Sequence, residues 1–118
     1  MSNENRERPA ERPRGEIPKK ISAQVEDYRR RIDKLDEEIV RLLNARATCA
    51  LEVGQLKDSV GMAINQPARE VDVHEHVQQI NDGPLDRDSI RRLFERIIDE
   101  NRRLEHLAKG NEDQPARD

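Results

Sequence analysis

Aromatic residues are nearly absent from this sequence, which has one Phe, one Tyr and no Trp among 118 residues. A hydrophobic core must therefore be built from Leu, Ile, Val and Ala, and such a core suits packed helices. Hydrophobic residues make up 33% of the chain and charged residues 40%. A chain of this length and polarity can supply one modest core, so we expect a single domain.

The sequence also lacks long apolar runs and has a single cysteine. Cys49 cannot form a disulfide within the chain, and its apolar helical position predicts a small buried side chain. No stretch approaches the roughly 18 apolar residues of a membrane span. Residues 1–20 contain no apolar segment of the kind found in signal peptides. We therefore expect a cytoplasmic protein with no membrane partner.

An excess of basic charge is missing as well. The formal net charge is -3, whereas general nucleic-acid binders gather a basic excess on one face. We expect no nucleic-acid partner, and any basic site must be local. Neither a Cys–His pair nor a Gly-rich phosphate loop is recognisable. His74 and His76 are two residues apart and point to different sides of a helix, so we predict no metal site.

Two polar segments flank the predicted folded domain, residues 21–109. Residues 1–20 combine three prolines with dense charge and are predicted to be a disordered arm. Residues 110–118 have a similar composition and are predicted to be a disordered tail. Gly110, the first residue of this tail, is predicted to end the last helix.

Residues from Ser22 to about Asp58 predict one long helix, because they contain no Pro and a single Gly. At about 1.5 Å per residue it would be about 50 Å long, whereas a compact 100-residue domain has a radius of gyration of about 13 Å. Such a helix extends beyond a monomeric core, so we expect a dimer. Its apolar residues follow a heptad seam, namely Val25, Tyr28, Ile32, Leu35, Ile39, Leu42, Cys49, Val53 and Leu56.

Two further helices follow, and no strand pattern is present. Pro67 suits the first turn of a short second helix, which is predicted to end at the segment 81–84 (NDGP). A third helix of medium length is predicted to start with Asp86 or Asp88 as its N-cap and to run to about Lys109. The predicted fold is therefore all-α, with three helices per chain.

Several charged or polar residues occupy inward-facing helical positions. Arg46 interrupts the heptad seam, and Lys57 lies eleven residues, or three turns, further along, so both point the same way. A lone Arg in a seam is often only ion-paired or extends its charged end to solvent. Several buried cations, however, need anions to offset their charge, and a bound dicarboxylate would provide them. The other members of this inward-facing set are Arg69, Glu70, Asn101 and Glu105.

Arg29 belongs to a basic run, Arg29–Arg31, that would be expected to face solvent. It precedes Arg46 by seventeen residues, about 25 Å along a helix axis, which is too far for both to bind one small ligand from the same chain. If Arg29 contributes to a site, that site belongs to a partner chain.

Several segments of the sequence, taken together in their order and spacing, resemble the all-helical type of chorismate mutase. The resemblance runs from about Val25 to Leu107 and rests on residues 28–36 (YRRRIDKLD), 42–46 (LLNAR), 53–57 (VGQLK), 67–70 (PARE), 81–85 (NDGPL) and 94–98 (FERII). It implies an intertwined homodimer with two equivalent active sites, each lined by both chains. It also implies an isomerase of the shikimate pathway, in aromatic amino acid biosynthesis, that needs no cofactor.

The resemblance further implies a role for each candidate residue in the pericyclic conversion of chorismate to prephenate. Arg29 of one chain and Arg46 of the other would bind the two substrate carboxylates, as the planar guanidinium group is suited to do. Lys57 would donate a hydrogen bond to the ether oxygen. Arg69 would support the carboxylate region, and Glu70 would accept a hydrogen bond from the C4 hydroxyl.

Three other positions complete the predicted site, and two depart from the family pattern. Asn101 corresponds to a small polar residue near a carboxylate. Glu105 stands where many members have a Gln that donates to the ether oxygen, so it would have to be protonated to do the same. Gln66 stands where an acidic residue is common near the C4 hydroxyl.

The sequence leaves other functions open. The same scaffold could serve a 4-amino-4-deoxychorismate mutase or an isochorismate-pyruvate lyase, and Gln66 and Glu105 could mark such a change of substrate. A non-catalytic helical dimerisation module, which could activate a partner enzyme, is the alternative of another class. The inward Arg46 and Lys57 argue against it, because Leu would serve a pure module better.

Overall fold

The computed structural model of this chain describes residues 15–64 and 66–113, with side chains through residue 110. It has three α-helices, α1 Lys19–Ser59, α2 Pro67–Ile80 and α3 Arg87–Asp113, and no strand among these residues. The predicted plan of a long, a short and a medium helix is confirmed. The described residues divide between Ile39 and Val40 into an N-terminal unit and a C-terminal unit.

The ends of α1 follow from its sequence. The helix begins at Lys19, inside the predicted N-terminal arm, and the Ser22 N–H donates to the Pro18 carbonyl at 3.0 Å. Residues 1–14 of that arm lie outside the described residues. At the other end, Gly61 has φ +75, and the N–H groups of Gly61 and Met62 donate to the carbonyls of Asp58 and Lys57. This left-handed glycine cap satisfies carbonyls of the last turn and stops the helix.

The starts of α2 and α3 agree with their predicted signals. Pro67 is the first residue of α2, where its missing N–H costs no helical hydrogen bond. Asp86 is the N-cap of α3, since its Oδ1 accepts a hydrogen bond from the Ser89 N–H at 2.7 Å. That bond also lowers the pKa of the Asp86 carboxyl, because it stabilises the charged form.

Gly110 does not end α3, contrary to the prediction. The helix continues to Asp113, and Gly110 does not adopt a positive φ. Glycine permits a left-handed stop but does not require one, and inside a helix it costs only about 0.5–1 kcal/mol relative to Ala. Residues 114–118 of the predicted tail lie outside the described residues.

Few apolar side chains are buried within the single chain. Among the described residues these are Val73 and Val77 of α2, at 9% and 7% exposure. The heptad seam of α1 is exposed in both units, and Cys49 is exposed as well, so its predicted burial is wrong for the single chain. Within the described ranges, no helix is both long enough and apolar enough to cross a membrane.

Candidate active site

The glycine cap of α1 fixes the position of Lys57, which lies in the last helical turn. The loop that follows the cap turns back, and Lys57 Nζ donates to the Ile64 carbonyl oxygen at 3.0 Å. Lys57 as a residue is half-buried, and its ammonium group retains two further N–H donors. It is therefore held in place and can still donate to a ligand.

Arg46, in the middle of α1, contacts the third helix. Its Nη1 donates to Oδ1 of Asn101, which is buried at 8% exposure. Burial lowers the pKa of the Arg46 guanidinium, and the positive charge of Arg69 lowers it further. Arginine stays protonated in proteins all the same, so a bound anion would offset both the burial and the repulsion.

Glu105 reaches the same region from α3. Its Oε2 is buried and has no hydrogen-bond partner among the described residues. Burial raises the pKa of the Glu105 carboxyl, while the positive charges of Lys57, His106 and Arg102 oppose the rise. The net effect is a raised pKa, so this carboxyl is protonated more readily than a free glutamate, and only its protonated form can donate a hydrogen bond.

A glycine of α1 makes room for this carboxyl. A Cβ atom added to Gly54 would lie 2.9 Å from Glu105 Oε2 and 3.2 Å from its Cγ. Real Cβ atoms essentially never approach so closely, so any side chain at position 54 would displace Glu105. The absence of a side chain at Gly54 thus allows α1 and the Glu105 carboxyl to lie together.

Glu70 is joined to a basic residue of α3. Arg102 Nη2 donates to Oε2 of Glu70, and Arg102 Nη1 donates to Oδ1 of Asp99 at 3.1 Å. The Glu70 and Arg102 side chains are 33% and 28% exposed, whereas Asp99 is 59% exposed. The carboxylate of Glu70 is therefore already paired with a cation.

These side chains line one cavity of about 270 Å³ in the C-terminal unit. Seven of the eight predicted site residues are among its lining, and the eighth, Arg29, belongs to the N-terminal unit. Arg29 is exposed and pairs with Glu26 at 3.0 Å. The seven are Arg46, Lys57, Gln66, Arg69, Glu70, Asn101 and Glu105.

The prediction from sequence missed one charged residue of the lining, Arg102. A signal was present, because Arg102 lies between Asn101 and Glu105 and shares a helical face with Glu105 at a spacing of three. The apolar part of the wall was not predicted either. It includes Ala50, Val53, Ile64, Val73 and Ile98, together with Cys49.

The charge of the lining indicates the chemistry of the ligand. Four basic and two acidic side chains face the cavity, which leaves an excess of two positive charges even with both carboxyls ionised. A compact dianion of mixed apolar and polar character fits this balance. Within the described residues, no group of three or more His, Cys, Asp or Glu side chains could hold a metal ion.

Comparison with known proteins identifies the family that the sequence resembles, over most of the chain. Residues 28–106 match the family model described as chorismate mutase type II. A bifunctional chorismate mutase/prephenate dehydratase from Neisseria gonorrhoeae is 44% identical over 73 residues, 62% of this chain and 20% of that protein. The chain thus spans about a fifth of the length of that bifunctional relative.

Relatives of similar length to this chain are also found. A chorismate mutase from Methanocaldococcus jannaschii is 26% identical over 80 residues, which cover 67% of this chain and 81% of that protein. The structure of chorismate mutase (form II) from Thermus thermophilus superposes with a TM-score of 0.69 at 30% identity, covering 70% of this chain and 94% of that one. The family model matches well over half of the length of this chain, and the chain therefore belongs to the chorismate mutase type II family.

Proposed function

We propose that this protein is an isomerase that converts chorismate to prephenate. The observation that carries the proposal is the excess of two positive charges around a cavity of about 270 Å³. Chorismate has two carboxylates, so its binding would offset two of these positive charges. The names of the relatives support the same substrate.

The rearrangement is unimolecular, so the protein needs only to hold a reactive conformer and stabilise charge as the ether C–O bond breaks. Arg46 would bind one carboxylate, with Asn101 holding its guanidinium and Arg69 adding positive charge nearby. Lys57 would donate to the ether oxygen, where negative charge develops. Protonated Glu105 would donate to the same oxygen.

The proposal includes a homodimer in which each site is completed by the partner chain. Monomeric proteins rarely expose long apolar surfaces, yet the seam of α1 is exposed from Val25, at 40%, to Leu42, at 65%. A second copy of this chain would cover that seam, because heptad seams pack against one another. Arg29 of the partner would then supply the second carboxylate-binding guanidinium.

The test is an assay of the purified protein with chorismate, followed through the loss of chorismate absorbance. Arg46→Leu should reduce kcat/KM by at least about a hundredfold, because a charge-assisted bidentate contact is lost. Arg41→Leu is the matched control, since Arg41 lies on the same helix and is exposed. Wild-type protein that leaves chorismate unchanged would refute the proposal. If Arg46→Leu at the same time stabilised the fold, a non-catalytic dimerisation module would be favoured.

A cytoplasmic location, without nucleic-acid or membrane partners, stays a prediction from the sequence. Fractionation of cells that express the chain would test it.

A further inference from the structure

The ion pair between Glu70 and Arg102 lies within the cavity lining and has consequences for the choice of substrate. Both side chains are about one-third exposed, and the pair joins α2 to α3. Arg102 also binds Asp99, but that carboxylate is 59% exposed and is not part of the cavity wall. Inside the cavity, the charge of Glu70 is therefore balanced by Arg102.

We propose that Arg102 is a specificity-determining residue that makes the site select a neutral C4 substituent over a cationic one. This inference rests on the proposed function, in which Glu70 faces the C4 position of the substrate. Chorismate carries a hydroxyl at C4, whereas 4-amino-4-deoxychorismate carries an ammonium group there at neutral pH.

The two substituents differ in what they require of Glu70. A hydroxyl can donate to Glu70 while Arg102 stays bound, because a carboxylate accepts several hydrogen bonds. An ammonium group must either lie beside the Arg102 guanidinium or displace it from Glu70. The first costs like-charge repulsion and the second costs an ion pair, so the cationic substrate is disfavoured in both arrangements.

Gln66, which lines the same cavity as Glu70, also disfavours a cationic substituent. It lines the cavity at the N-cap of α2 and has an uncharged amide, so it adds no negative charge that could attract an ammonium group. Arg69, one turn further along α2, adds another positive charge to the same lining. Glu70 is thus the carboxylate that α2 contributes to the cavity, and Arg102 neutralises it.

The experiment measures kcat and KM with both substrates for wild type, Arg102→Gln, Arg102→Lys and Arg103→Gln. Wild type is expected to prefer chorismate. Arg102→Gln should reduce the ratio of kcat/KM for chorismate to kcat/KM for the amino compound by at least about tenfold. The change should come mainly from a lower KM for the amino compound. Arg102→Lys keeps the charge and should keep the preference. Arg103→Gln is the control, because Arg103 is 62% exposed and pairs with Glu100 at 3.1 Å.

The outcomes separate the inference from the proposed function. Turnover of neither substrate by wild type would refute the proposed function, and the inference with it. Turnover of chorismate with an unchanged ratio in Arg102→Gln would overturn the inference alone. A purely structural role of Arg102 would also be recognised, because it would impair both substrates in parallel and leave the ratio unchanged.

A second variant applies if Arg102→Gln does not fold. Asp99→Asn removes an exposed partner and leaves the Arg102 guanidinium to Glu70, so the preference for chorismate should rise by about twofold. An unchanged or lower preference in Asp99→Asn would overturn the inference.

Discussion

Arg46 Nη1 of α1 donates a hydrogen bond to Oδ1 of Asn101, a buried residue of α3. The bond uses one of the five N–H groups of the guanidinium and leaves the others for a ligand. Among the described residues, Asn101 is the buried residue with a polar side chain. Arg46 provides the hydrogen-bond donor for its amide oxygen. The pair therefore fixes the orientation of the Arg46 guanidinium, which lines the cavity.

We expect Asn101→Ala to lower kcat/KM for chorismate by about ten- to a hundredfold, because a freely rotating guanidinium binds the carboxylate in many orientations. The loss should appear in both KM and kcat. Asn44→Ala is the matched control, since Asn44 is exposed and its side-chain amide donates to the Val40 carbonyl of its own helix. Unchanged kinetics of folded Asn101→Ala would show that Arg46 needs no such support.

The pH dependence of activity should report the ionisation of Glu105. Its pKa is raised by burial, so the protonated donor persists above the ordinary range of a glutamate and is lost as the pH rises further. We expect kcat/KM to fall as the pH increases through that pKa, and Glu105→Gln to flatten the profile. A wild-type profile already flat from about pH 5 to pH 8 would contradict this.

Stability should depend on pH through the same group. A carboxyl whose pKa is raised in the folded state stabilises the fold while it is protonated, and this contribution is lost as the pH rises through the folded-state pKa. Glu105→Gln should therefore raise Tm relative to wild type at pH 8 and have little effect at pH 4. An equal change of Tm at both pH values would instead indicate a packing effect.

Gly54 should be required for the position of Glu105. We expect Gly54→Ala to lower kcat by about tenfold, because the new Cβ, 2.9 Å from Oε2, would displace the carboxyl. The control is Gly110→Ala, where nothing lies within 4 Å of the added Cβ. That variant should be more stable by about 0.5–1 kcal/mol with unchanged kinetics. Wild-type kinetics in Gly54→Ala would show that Glu105 tolerates the displacement.

The helices and most of the site could be predicted because their signals are local. Pro67 and Asp86 indicate helix starts, and Arg46 stands out because it interrupts an apolar seam. The ion pair between Arg102 and Glu70 could not be predicted from spacing, since 32 residues separate the partners and only the packing of α2 against α3 brings them together. The continuation of α3 past Gly110 was missed because glycine allows both a stop and a helix.

The predicted sharing of sites between chains can be tested by mixing two inactive variants. In a dimer of Arg29→Ala with Arg46→Ala, one site carries both changes and the other carries neither, so it should be active. Random pairing makes half of the dimers mixed, and the expected recovery is about a quarter of wild-type activity.

Arg46→Ala mixed with Arg69→Ala provides the control, because both residues line the cavity of one chain. Every site in that mixture lacks one of the two arginines, so activity should not recover. Co-expression with two different affinity tags would isolate the mixed dimers and remove the statistical factor, after which one site of two should be active. Isolated mixed dimers of Arg29→Ala and Arg46→Ala without activity would show that Arg29 does not complete the partner's site, and full activity of Arg29→Ala alone would show that it has no part in binding.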